Sequence, residues 1–141
     1  MNRRHFIQTA AAVGILGHAP FILGQNADRK HRVALIGSGW WGKNILREAI
    51  ASEKCKVVAI CDADTNVMEV AAEQISDLNG DTPKSYVDDR ELLEKEKPDI
   101  VIIATPDHWH ALQTIAALKA GAHVFVEKPT GHTVNESKAM L

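Results

Sequence analysis

A chain of 141 residues is long enough for one domain and too short for two. Its 45% apolar and 24% charged residues are the balance of an ordinary globular protein, and a net charge of −2 argues against a nucleic-acid-binding surface, which is normally strongly basic. No apolar run approaches the roughly 18 uncharged residues of a membrane-spanning helix, so no transmembrane anchor is expected.

Residues 1–31 read as an address and linker. Arg3 and Arg4 precede Phe6 and a small, apolar stretch from Thr9 to Gly17, with no acidic residue before Asp28. That is a charged n-region followed by a short h-region. The arginine pair with Phe6 two places on resembles the twin-arginine export signal, which implies a periplasmic or otherwise exported protein. Cleavage is expected somewhere between residues 19 and 27.

From Arg32 onward, short β-branched runs alternate with helical patterns. Val33–Ile36 reads as a buried strand and residues 40–51 as a helix. Lys56–Cys61 is a second strand, and Thr65–Leu78 a helix with Val67, Val70, Ala71 and Ile75 on one face. Asn79-Gly80-Asp81 turns the chain. Tyr86-Val87 is at most a short strand, and Asp88–Glu96 a charged helix ended by Pro98. Asp99–Ala104 is a third strong strand, residues 108–120 a helix, and His123–Val126 a further strand. Thr133 opens a last helix, with Glu136 three residues later in capping-box spacing. Strands alternating with helices predict an α/β fold, a doubly wound parallel sheet of the Rossmann type. Such a sheet has about six strands, and the chain stops within a helix, so the domain at 32–141 is expected to be incomplete at its C-terminus. Cys55 and Cys61 would lie about 20 Å apart on one strand, too far to pair, and are read as small apolar fillers.

Gly37-Ser38-Gly39-Trp40-Trp41-Gly42 is a G-x-G-x-x-G that follows a predicted strand and opens a predicted helix. Gly37 is assigned to the tight turn, Gly39 to close approach of backbone to a pyrophosphate, and Gly42 to helix–strand packing. The helix start supplies free N–H groups and a positive dipole to phosphates. Asp62 ends the second strand, where a carboxylate can accept hydrogen bonds from ribose hydroxyls and would repel a 2′-phosphate. Ala63 and Asp64 follow, with no arginine beside them. NAD is therefore favoured over NADP.

The segments Ala104-Thr105-Pro106-Asp107-His108-Trp109-His110 and Glu127-Lys128-Pro129 sit where two strands end. With the glycine turn, they resemble the Gfo/Idh/MocA family of glucose–fructose oxidoreductase and inositol dehydrogenase-like proteins, over residues 32–141. The resemblance implies Lys128 as the catalytic residue, beside nicotinamide and substrate. Glu127 and Pro129 would shape the nicotinamide end, Thr105 and Pro106 the loop crossing the cofactor, and His110 the start of the next helix. Gly37, Ser38, Gly39, Trp40, Trp41, Gly42 and Asp62 complete the cofactor-binding set. No metal is expected: His108 and His110 have no cysteine or carboxylate pattern to complete a site. The resemblance also implies a second domain that supplies most substrate contacts; none of it is expected within these residues, and a homo-oligomer is implied only where that domain is present.

Three functions fit this sequence. One is part of an NAD-dependent dehydrogenase acting on a sugar or polyol. Another is a relative that retains NAD and cleaves or epimerises a glycoside by transient oxidation. The third is a non-catalytic dinucleotide-binding module. An export route that carries folded proteins suits a chain that must capture NAD before leaving the cytoplasm.

Overall fold

The computed structural model describes residues 29–141, and the expected export signal lies outside the described residues. In chain order, β1 (His31–Ile36) leads to α1 (Trp40–Ala51), β2 (Cys55–Cys61), α2 (Thr65–Asn79), β3 (Lys84–Tyr86) and α3 (Asp89–Glu96). Then come β4 (Ile100–Ile103), α4 (Asp107–Lys119), β5 (His123–Val126) and α5 (Val134–Ala139). β1 opens at His31, inside the span expected to be linker, because its N–H bonds Lys54 O at 2.8 Å and so extends the ladder.

All pairings are parallel, in the order β3-β2-β1-β4-β5. The chain starts in the middle, winds outward through β2 and β3, then reverses to β4 and β5. That reversal opens a crevice between the carboxyl ends of β1 and β4, the place where open α/β sheets bind ligands. The doubly wound parallel sheet expected from the sequence is the one observed.

Apolar side chains cover the two faces separately. Val33, Leu35, Val57, Ile60 and Ile102 pack under Leu46 of α1 and Met68, Ala71 and Ile75 of α2. Ala34, Ile36, Val58, Val101 and Ile103 meet Leu92 and Leu93 of α3 and Ala117 of α4. Each fully buried Leu or Ile contributes about 1.5–3 kcal/mol of hydrophobic stabilisation. A register shift between Val33 and Ala34 admits one extra β2 residue, Val58. It explains why Val57 and Ile60 share a face although they are three apart. Cys55 and Cys61 fall in opposite cores, both buried and free, as fillers rather than a bridge.

One expectation is corrected in α2. Met68 is buried at 3% exposure, whereas Val70 stands 46% exposed. The buried stripe runs Met68, Ala71, Ile75, spacings of three and four that track the helix face; Val70 lies off it. On the α1 side of β4 and β5, Ile100, Ile102 and Phe125 line an open apolar cleft beside Trp40, Trp41 and Ile45.

The glycine turn is set by contact between backbones. Gly37 has φ +89°, and a Cβ there would sit 2.7 Å from the Ala104 carbonyl. A Cβ on Gly42 would lie far inside contact distance of the Gly37 carbonyl oxygen, so α1 can rest directly on the end of β1. Gly39 is different: a Cβ would meet nothing within 4 Å.

Across the sheet, Glu96 is a buried carboxylate at 7% exposure that joins three elements. Its Oε1 accepts from Lys84 Nζ at 2.8 Å and Tyr86 Oη at 2.6 Å, and Arg32 Nη2 lies 3.5 Å from Oε2. These bonds hold the Glu96 carboxyl below its ordinary value, Lys84 and Tyr86 having the largest effects. The same bond to Glu96 pushes the Tyr86 phenol up to about 12 from its ordinary 10.0.

Two outcomes follow. The fold favours neutral Tyr86, so its contribution is complete below the ordinary value and lost as pH rises through about 12. Tyr86 is the single tyrosine of the chain, so the phenolate absorbance should titrate near 12 in the folded protein. In Glu96→Gln the midpoint should fall back toward the ordinary value; an unshifted wild-type midpoint would contradict the assignment. By thermal melting, Gly42→Ala should destabilise by about 1–3 kcal/mol through overpacking. Gly39→Ala should stay within about 0.5 kcal/mol of the parent.

Candidate functional site

The first part of the site is the start of α1. Its N-cap, Gly39, offers no side-chain cap, and its first turn contains no acidic residue. By contrast, α2 is capped by Asp64, α3 by Asp88, and α5 by the capping box of Thr133 and Glu136 that the sequence predicts. The α1 N-terminus thus keeps unsatisfied N–H groups and an uncompensated positive dipole end. The open space above Gly39 lies at this terminus. Donor set, dipole and clearance fit a pyrophosphate group.

Asp62 holds this turn in place, a role the sequence reading missed. Its Oδ2 accepts from Ser38 N at 2.7 Å and Ser38 Oγ at 3.1 Å, while Oδ1 accepts from Asp64 N at 3.1 Å. Ser38 is fully buried. An ionised carboxylate has about four lone-pair positions, so three bonds leave one for a ligand hydroxyl. The surroundings are acidic as well. The Cys61 thiol is pushed up to about 12 by burial first, then by Asp89, Asp62 and Asp88. Sequence proximity signalled Asp62; the convergence of Asp88 and Asp89 on the same strand end required the β2–β3 pairing.

The second part lies where β4 and β5 end. Trp41, Ala104, Thr105, Asp107, His110, Glu127 and Lys128 line one open cleft of about 490 Å³. The cleft brings Trp41 of the glycine turn together with four of the residues singled out after β4 and β5. Lys128 is exposed on it, and its backbone N–H bonds Glu127 Oε2 at 3.3 Å. Thr105 Oγ1 donates to Gln113 Oε1 at 2.6 Å. Pro106 caps α4 without a side-chain bond, and Pro129 follows Lys128 through a cis peptide. Trp40 stands 74% exposed, its ring 5.4 Å from that of Trp41.

His110 lies in the first turn of α4, where the sequence reading placed it, and borders the same cleft. It is buried at 2% exposure, with Nδ1 2.6 Å from Pro129 O and Nε2 2.8 Å from Thr105 O. Asp107 is the cleft residue to which sequence reasoning gave no role. Burial raises its carboxyl, but the His108 backbone N–H and the nearby His132 and His108 outweigh it, so the group lies below its ordinary value. Its signal was position, in the same strand-end segment as Thr105. Among the described residues no group of three metal-ligating side chains occurs, and no helix is long and apolar enough to cross a membrane.

Comparison with known proteins agrees with this geometry. Residues 31–141 match the oxidoreductase family, NAD-binding Rossmann fold, of Gfo/Idh/MocA proteins. A glycosyl hydrolase family 109 protein of Stenotrophomonas maltophilia is 36% identical over 142 residues, covering 96% of this chain and 31% of that protein. The structure of myo-inositol 2-dehydrogenase from Lactobacillus plantarum superposes with a TM-score of 0.70 at 31% identity, over 79% of this chain and 32% of its own. Levoglucosan dehydrogenase in complex with NADH gives 0.67 at 32% identity, over 79% of this chain and 31% of its own. The chain spans about a third of the length of each of these relatives. Since the family match takes in every strand and helix described, from β1 through α5, the chain belongs to the Gfo/Idh/MocA oxidoreductases and is their NAD-binding Rossmann domain.

Proposed function

We propose that this domain holds NAD for hydride transfer from a hydroxyl-bearing carbon of a sugar or polyol, or in reverse to the carbonyl carbon it becomes. The observation that carries the reading is the shared cleft: Trp41, from the glycine turn, borders the same space as Thr105, Glu127 and Lys128. The Ser38–Gly42 turn and α1 N-terminus would take the pyrophosphate, Asp62 a ribose hydroxyl, and the cleft the nicotinamide. NAD, when bound, supplies the hydride acceptor. Lys128 would orient the substrate hydroxyl and stabilise negative charge as it develops on that oxygen. Glu127 and Asp107 keep the rim polar, and Trp41 gives it one apolar wall. That combination suits a ring with a C–H face and a hydroxyl edge. The solved relatives named above are inositol and levoglucosan dehydrogenases.

A second reading draws on the sequence relatives, which are named glycosyl hydrolase family 109 proteins. In that reading the cofactor stays bound and is restored within each cycle while a glycosidic bond is cleaved. The two differ in one measurement. A dehydrogenase releases NADH in proportion to product, and a cofactor-retaining hydrolase accumulates none.

For cofactor choice, the purified chain should bind NADH about tenfold more tightly than NADPH, a difference of about 1.4 kcal/mol. Asp62→Asn keeps an acceptor for Ser38 and removes the charge, and should narrow the gap to about threefold by raising NADPH affinity. Equal wild-type affinities would remove the role given to Asp62. For chemistry, Lys128→Ala in a protein that also carries the remaining two thirds of its relatives' length should lower kcat about 10²–10³-fold. NAD affinity should stay nearly unchanged, because the interaction is made as charge develops rather than with the bound cofactor. Normal turnover would reduce Lys128 to a solvated lysine.

A further inference from the structure

The resemblance places His110 among cofactor-binding residues, yet its ring is buried and both nitrogens are already engaged. The two carbonyls it meets belong to different segments of the site. Thr105 lies between β4 and α4, and Pro129 directly follows Lys128. We propose that His110 is a positioning residue that ties these two segments together and so sets the half of the cleft that would receive the nicotinamide.

The local chemistry favours a tie over simple core filling. Residues past a strand end have no ladder partner for their carbonyls, so a side chain that meets them is what fixes these segments. Imidazole carries polar atoms on two sides of a rigid ring, so one side chain reaches both segments: the neutral ring donates to one of the two carbonyls according to its tautomer, and the imidazolium donates to both. The same helix grips Thr105 a second time through Gln113, one turn further on. Thr105 is thus held by backbone and side chain from α4, while Pro129 is held through His110 alone among the hydrogen bonds of the described residues. A loosened tie therefore acts first on the Lys128–Pro129 segment. The glycine turn keeps its own supports, Asp62 on Ser38 and Gly37 against Ala104.

This inference rests on the cofactor reading above, and it makes a selective prediction. ADP-ribose shares the adenosine and pyrophosphate of NADH but lacks the nicotinamide. By calorimetric titration of the purified chain, His110→Leu should weaken NADH binding about tenfold and leave ADP-ribose within about twofold. His110→Asn, which keeps a polar atom near the Nδ1 position, should retain the Pro129 tie and much of the NADH affinity. His110→Gln, which reaches the Nε2 position instead, should lose nearly as much as Leu. If His110→Leu does not fold, as judged by circular dichroism, the Asn and Gln variants carry the comparison. Parallel losses of both ligands, or no loss of either, overturn the proposal while the cofactor reading stands. A wild-type chain that binds neither ligand overturns both.

Discussion

Everything at the site depends on two backbones lying closer than side chains allow. Because residues 37 and 42 lack a Cβ, the first turn of α1 rests on the end of β1, and that turn lies against the chain leaving β4. The sheet order supplies the second half of the constraint. β1 and β4 are neighbours although β2 and β3 intervene in sequence, so the glycine turn and the Thr105 segment face each other across the point where winding reverses. Parallel pairing of β5 with β4 then brings Glu127 and Lys128 to the same rim. Hydrophobic burial stabilises the two cores, but backbone contact decides where the crevice opens and how wide it is.

The supports around that crevice divide the work. Side-chain caps satisfy α2, α3 and α5, whereas α1 and α4 start without one, and α1 has no acidic residue in its first turn either. Asp62 compensates by fixing Ser38 from below. On the opposite rim, α4 holds Thr105 through Gln113 and His110, while His110 also reaches Pro129. Free donors and a clear space above Gly39 thus occur at a place that is otherwise tightly braced. Donors already held in place need not be ordered when a ligand arrives, which lowers the entropic cost of binding.

Most of the fold was legible because its signals are local. Continuous runs such as Ile100–Ile103 announce a strand covered on both faces, and Thr133 with Glu136 announces a helix start. The glycines, too, could be assigned distinct roles from their spacing, and the contacts at Gly37 and Gly42 agree with them. What the sequence hid is pairwise and long-range. Nothing local marks Glu96 as the acceptor for both Lys84 and Tyr86, because the approach of α3 to β3 creates that pocket. Ser38 beneath Asp62 and Pro129 beside His110 are likewise products of topology. The misplaced Val70 had a different cause. Helix faces are read from hydrophobicity, and Met68 and Val70 are both apolar, so only packing against β2 separates them.

The bracing of Ser38 by Asp62, set beside the ribose contact proposed for the same carboxylate, has an evolutionary consequence. A carboxylate that only read the ribose could be exchanged freely whenever cofactor preference drifted. Here any change at position 62 also alters the acceptor for two donors of a fully buried serine. Substitutions at 62 and 38 are therefore expected to be epistatic, with the order of acquisition restricted. Replacing Ser38 first by a residue without a hydroxyl leaves position 62 only backbone donors to satisfy, the N–H groups of residue 38 and Asp64. Changing Asp62 first to an apolar residue strands both serine donors. Lineages that alter their cofactor should carry the mark of that order, with changes at 38 preceding or accompanying those at 62.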